Sequence, residues 1–170
     1  MKYFIVDVNE NYIAPKLVDW YGIIDKKTLS RKKAYEMPKH LLFHIEKHMQ
    51  MVFTDVLTVP CFMVSEMVRD VINKYVSSVW FLRIILYDNE QKRSMAYYIP
   101  YLEKINYSEE KDTEKKNNHR VCVKKEDIKE KIIVEITAED RSYVVMRMDL
   151  VESILRRETI GIGLREIKII

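Results

Sequence analysis

His40, His44 and His48 recur every fourth residue, the spacing that lets imidazoles on one face of a helix share a metal ion such as zinc. Two observations count against a metal-dependent enzyme here. The stretch HIEKH carries its glutamate at the third position, whereas the hydrolytic HExxH pattern needs it at the second. Leu41, Phe43 and Ile45 alternate as a strand would, and Pro38 closes off whatever precedes them. On a strand, His44 and His48 would stand about 13 Å apart. The segment is therefore expected to be extended and to hold no metal.

Other reactive pairings are equally thin. His119 and Cys122 could pair as base and thiol, but three residues apart on a strand they point to opposite faces. Cys122 and Cys61 read as small core residues. Ser65 lacks the glycine-flanked elbow of a hydrolase serine, and helix capping accounts for it. Asp149 and Glu152 are carboxylates at the spacing of a capping box, which would use both. Gly161 and Gly163 form GxG, but Glu166 replaces the third glycine of a dinucleotide fingerprint. The sequence thus predicts no catalytic residue and no cofactor, and a function other than catalysis.

The whole chain of 170 residues is 48% hydrophobic, enough for one self-sufficient core, and its net charge of +3 is small beside 55 charged side chains. Two cysteines, and an apolar start broken by Asp7 and Asn9, suit a reducing, cytoplasmic setting without a signal peptide. The longest apolar run, Val79 to Tyr87, is interrupted by Arg83 and is under half a membrane span. A basic stretch from residue 26 to 39, with Lys26, Lys27, Arg31, Lys32 and Lys33, is the one argument for nucleic-acid binding. Glu36 dilutes it, and the 11 tyrosines are scattered among strand-like segments rather than clustered with it, so a solvated face is the preferred reading.

These groups would be positioned by a mixed set of elements. Lys2 to Val8 reads as a first strand, and Trp20 with Tyr21 as a possible aromatic anchor. Ser65 caps a helix over 66–75, with Val68, Val71 and Ile72 on its buried face. Val79 to Tyr87 reads as a strand covered on both sides or interior to a sheet, and Ser94 to Leu102 as its hairpin partner. Residues 107–118, YSEEKDTEKKNN, contain no aliphatic side chain and read as a charged, solvated loop. Ile132 to Thr137 and Tyr143 to Met148 flank a turn at Ala138 to Arg141, ahead of a helix over 150–158 opened by Asp149 and Glu152. Gly161 and Gly163 would stop that helix, and Leu164 to Ile170 would close the sheet. The expected fold is a single α+β domain over 1–170: a largely antiparallel sheet of six to eight strands with two or more packed helices.

Two stretches carry a family likeness. FTDVLTVPCFMVSEMVRDVI, and the tail IIVEITAEDRSYVVMRMDLVESILRRETIGIGLREIKII, resemble immunity-protein family eleven of bacterial polymorphic-toxin systems, with Asp55, Ser65, Asp149 and Gly163 as fixed points. With the hairpin between them the likeness spans residues 52–170, while 1–51 match nothing recognised. The resemblance implies a small cytoplasmic α+β protein that neutralises a cognate toxin protein by direct binding, without catalytic residues. Interfaces favour tyrosine anchors with a polar rim, so Tyr98, Tyr101 and Tyr107 with Glu109, Glu110 and Asp112 are the candidate partner-binding residues. Neither a membrane nor a nucleic acid is expected as a partner.

Overall fold

A computed structural model describes residues 1–24, 40–111, 119–138 and 141–170. In chain order the elements are β1 (Tyr3–Val8), β2 (His40–His44), β3 (Val56–Leu57), β4 (Met63–Ser65), α1 (Glu66–Tyr75), β5 (Trp80–Asp88), β6 (Arg93–Tyr101), β7 (Lys104–Asn106) and β8 (Ser108–Lys111). They continue with β9 (His119–Val123), α2 (Lys125–Ile128), β10 (Ile133–Ala138), β11 (Arg141–Arg147), α3 (Met148–Leu155), β12 (Ile162–Glu166) and β13 (Lys168–Ile169). The strands form three sheets, ordered β12-β1-β11-β10-β7, β2-β5-β6-β4-β3 and β13-β9-β8. Pairing is antiparallel except between β2 and β5, β7 and β10, and β9 and β13.

Period-two alternation sets the layers. Along β1, Phe4 and Val6 face one way and Tyr3 and Ile5 the other, and both faces are covered, which is why the strand reads as nearly continuous apolar sequence. On the first face Val6, Val144 and Met146 meet Val68, Val71 and Ile72 of α1 and Leu150, Val151 and Ile154 of α3. The same cluster takes in Val64 and Tyr98 of the second sheet, so the helix pair is wedged between two sheets. On the far face Ile5, Val134 and Val145 pack on Val121 and Val123 of β9 and Ile128 of α2. The Tyr3 hydroxyl donates to the Ile128 and Lys131 carbonyls at 3.0 and 3.1 Å and ties α2 to β1. A third cluster joins Leu82, Ile84, Leu86, Tyr97 and Ile99 to Phe43 and to Leu17 and Ile24 of the N-terminal segment. Each fully buried aliphatic side chain contributes about 1.5–3 kcal/mol of transfer free energy.

The helix expected over 66–75 forms over those residues, with the Ser65 hydroxyl accepting from the Val68 amide at 3.4 Å. The strand favoured between His40 and Gln50 forms over its first part, His40–His44, with Phe43 and Ile45 buried and Leu42 exposed. β5 is interior to its sheet, as expected, between β2 and β6; Leu82, Ile84 and Leu86 bury one face while Arg83 on the other is exposed. Four expectations need correction. The fold is mostly β, with three sheets in place of one of six to eight strands. Asp149 opens no capping box: α3 runs Met148–Leu155, no side chain caps it, and the carboxylate accepts from Arg147 Nε and Nη2 at 2.8 and 2.7 Å. The helix starts with Arg147 as its N-cap, which puts Asp149 inside the first turn, and the bidentate, charge-assisted pair with Arg147 holds the Asp149 carboxyl below its ordinary value. The chain has left the helix by Arg156, before either glycine. Finally, two strands share the tail, since β12 joins β1 and β13 joins β9 across Ile167.

The segment 107–118 is corrected in part. Tyr107 is buried and Ser108–Lys111 forms β8, paired antiparallel with β9. A strand needs backbone partners rather than aliphatic side chains, and the composition of SEEK gave no sign of that pairing. Residues 112–118 lie outside the described residues, as do 139 and 140 of the expected turn.

Candidate partner-binding groove

The structure scatters the residues that sequence reasoning gathered into sites. His40 and His44 stand at the two ends of β2 and His48 lies beyond it, so the helix that would stack them is not formed. His44 Nδ1 lies 2.9 Å from Asn89 Nδ2, and His48 Nδ1 accepts from the Gln50 amide at 3.2 Å. Among the described residues no three His, Cys, Asp or Glu side chains gather as a metal ion would need. His119 and Cys122 share β9, where Cys122 is buried. The basic residues at 26–33 lie outside the described residues.

Tyr98, Tyr101 and Tyr107 belong to three different apolar clusters. Tyr98 and Tyr101, three apart on β6, necessarily face opposite sides of the sheet. The Tyr98 hydroxyl donates to Glu66 Oε1 at 3.4 Å beneath the Arg69 guanidinium, and the Tyr107 ring packs against Tyr143 at 5.8 Å. Glu109 and Glu110 lie on β8, and Asp112 is outside the described residues. The three tyrosines therefore make no common surface. The Tyr101 hydroxyl is buried with no hydrogen-bond partner among the described residues, and burial, with Cys61 beside it, raises its pKa. An unsatisfied buried hydroxyl costs about 1–3 kcal/mol. Tyr101→Phe is expected to leave the thermal midpoint unchanged or raise it, as calorimetry can check; a fall would mean that the hydroxyl makes a stabilising bond.

A different surface is assembled by the segment that sequence reading left nearly blank. Residues 11–24 form no long strand or helix and are strapped across the edge of the second sheet. Val18 donates to the His44 carbonyl at 2.9 Å, Glu46 to the Lys16 carbonyl at 2.8 Å and Val52 to the Ile13 carbonyl at 2.9 Å. Leu17 and Ile24 sink into the cluster beneath, while the Ile23 and Ile24 amides close a turn on the Trp20 carbonyl. Between this strap and the chain at Leu57–Val59 lies a groove of about 660 Å³. Tyr12, Ile13, Pro15, Trp20, Met51 and Val59 supply its apolar lining. Three of these remain open to solvent, Tyr12 at 40%, Ile13 at 37% and Val59 at 68%. Lys16, Glu46 and His48 supply polar groups of both signs. An aromatic and aliphatic floor with a polar rim suits a partner's apolar side chains better than a reacting small molecule. Trp20, read as a possible anchor, is thus placed in the groove; Tyr21 beside it, ring edge to ring face at 5.7 Å, is almost fully exposed. Ile13 and Val59 gave no periodic signal, since each stands alone among turn residues.

No helix of the described residues is long and apolar enough to cross a membrane. No protein-family model matches the chain, and no curated protein matches it.

Proposed function

We propose that this chain is a non-catalytic binding protein that grips a partner protein in the groove between residues 12–20 and 57–59, and that the partner is a cognate bacterial toxin domain met in the cytoplasm. The observation that carries the binding reading is the groove itself, where large apolar side chains stand exposed next to charged groups of both signs. The toxin reading rests on the resemblance over 52–170, whose fixed points Asp55 and Ser65 join in one hydrogen-bonded unit beside α1. Direct burial of a toxin surface demands exposed anchors and no chemistry, and the groove supplies such anchors.

Co-expression with the product of the adjacent gene tests this. The two chains should co-purify in equal amounts. The variant Val59→Arg, at a position too exposed to affect folding by more than about 0.5 kcal/mol, should weaken the complex about thirtyfold or more, the scale of an interface hot spot. Full retention of the complex in Val59→Arg would remove the groove from the proposal, and failure to form any complex would remove the toxin partner.

A further inference from the structure

A second cavity lies between the first and second sheets, and its floor departs from the pattern of the surrounding core. Val6, Val144, Glu135 and Lys104 are successive register partners across β1, β11, β10 and β7, so their side chains share one face. Val6 and Val144 on that face belong to the cluster between the sheets. Glu135 and Lys104 continue the same row as a charged pair, with side chains 22% and 44% exposed. Opposite them Phe62, Pro100 and Leu102 close an apolar wall, leaving a cleft of about 200 Å³ that Ser142 and Asp7 also line, the Asp7 carboxylate accepting from the Thr58 hydroxyl at 2.9 Å. A cavity of roughly 150 Å³ already admits a benzene-sized body.

The ion pair is loose. Lys104 Nζ and Glu135 Oε2 are 3.6 Å apart, beyond hydrogen-bond length, so each head group retains hydrogen-bonding capacity toward a third party. We infer that this cleft is a binding site for a small apolar α-amino acid. Its carboxylate bonds Lys104, its ammonium bonds Glu135, and its side chain lies between Val144 and the wall of Phe62 and Leu102. A zwitterion fits this pair because it adds one charge of each sign and leaves none uncompensated in a partly desolvated site. A plain amine or a plain carboxylate satisfies one residue and strands the other. The site meets the partner groove at Thr58, which lines both, but shares no other lining residue with it, and it holds whether or not that reading does.

Titration of the purified chain with L-leucine and L-phenylalanine, followed by amide and methyl chemical shifts, tests the site. 3-Methylbutylamine and 4-methylpentanoate serve as half-ligands that keep the side chain and lose one charge. Shifts should concentrate at Val144, Phe62 and Leu102, with leucine binding about tenfold or more tighter than either half-ligand. Lys104→Met and Glu135→Gln, both at partly exposed positions and checked for an unchanged unfolding midpoint, should each lower leucine affinity by about the same factor. The exchanged pair Lys104→Glu with Glu135→Lys should retain binding, which a merely structural ion pair would not require. Absence of shifts at millimolar leucine, equal binding of the half-ligands, or undiminished binding in both single variants would overturn the assignment.

Discussion

Gly161→Ala is expected to lower the unfolding free energy by about 3 kcal/mol, combining left-handed backbone strain with overpacking. Gly161 has φ +73°, a region that costs an L-residue about 1–2 kcal/mol. A Cβ there would also fall 2.3 Å from Thr54 Cγ2 and 2.8 Å from Thr54 Cβ. Thr54 has little room to retreat. It is fully buried, its hydroxyl donates to the Val56 carbonyl at 2.8 Å, and its carbonyl accepts from the Tyr97 hydroxyl at 2.7 Å. The Gly161 carbonyl meanwhile accepts from the Asn9 amide at 2.8 Å, so a shift there would pull on the end of β1. Gly22 separates the two contributions: its φ is +80°, but nothing lies within 4 Å of the added Cβ. Urea unfolding should show Gly22→Ala costing only the strain and Gly161→Ala clearly more. Equal costs would mean that the crowding against Thr54 relaxes without penalty.

Asp55→Ala should cost a similar amount, about 3 kcal/mol, because one carboxylate joins parts of the chain far apart in sequence. Asp55 Oδ1 accepts from the Ser65 hydroxyl and Oδ2 from the Ile160 amide, both at 2.6 Å. Backbone bonds run alongside, from the Asp55 amide to the Ile160 carbonyl at 2.8 Å and from the Ser65 amide to the Asp55 carbonyl at 2.9 Å. Removal of the carboxylate leaves the buried Ser65 hydroxyl and the Ile160 amide without these acceptors, and loosens the turn that precedes β12. Bonds to a charged acceptor contribute about 1.5–3 kcal/mol each, with the more exposed Ile160 bond at the low end. Ser65→Ala removes the cap and one of the two carboxylate bonds, at about 2–3 kcal/mol. The double variant should cost less than the sum of the two singles, as a double-mutant cycle by chemical denaturation would show. Strict additivity would mean that the Asp55 to Ser65 bond carries no energy.

These two positions also show how far the sequence could be read. Ser65 is legible because a cap and its helix are neighbours in the chain, and the pattern at 68, 71 and 72 repeats with the period of the helix. β1, β2 and the β5–β6 hairpin are legible for the same reason, since their alternation is local. Asp55 stood out as a fixed point of a family likeness, but its bond to Ile160, 105 residues onward, obeys no local rule. Nor does the division of the tail between two sheets at Ile167, or the pairing of SEEK with β9. Asp149 misled because the helix begins at Met148 with Arg147 as its N-cap, so Asp149 falls inside the first turn and pairs with the Arg147 guanidinium. Tyr98, Tyr101 and Tyr107 were grouped by residue type, which assigns no face; the alternation in YYIPY already separates the first two. The groove was least legible, since irregular chain at 11–24 and isolated residues such as Val59 carry no period.

Hydrogen exchange of the chain alone and in complex with the product of the adjacent gene tests the central claim most directly, because it reads the contact surface without a substitution. The account predicts slowed exchange at amides in 11–20, 46–52 and 57–59, with the β8–β9 ribbon unchanged. Protection confined to Ser108–Lys111 and His119–Val123, with the groove exchanging as in the isolated chain, would contradict it.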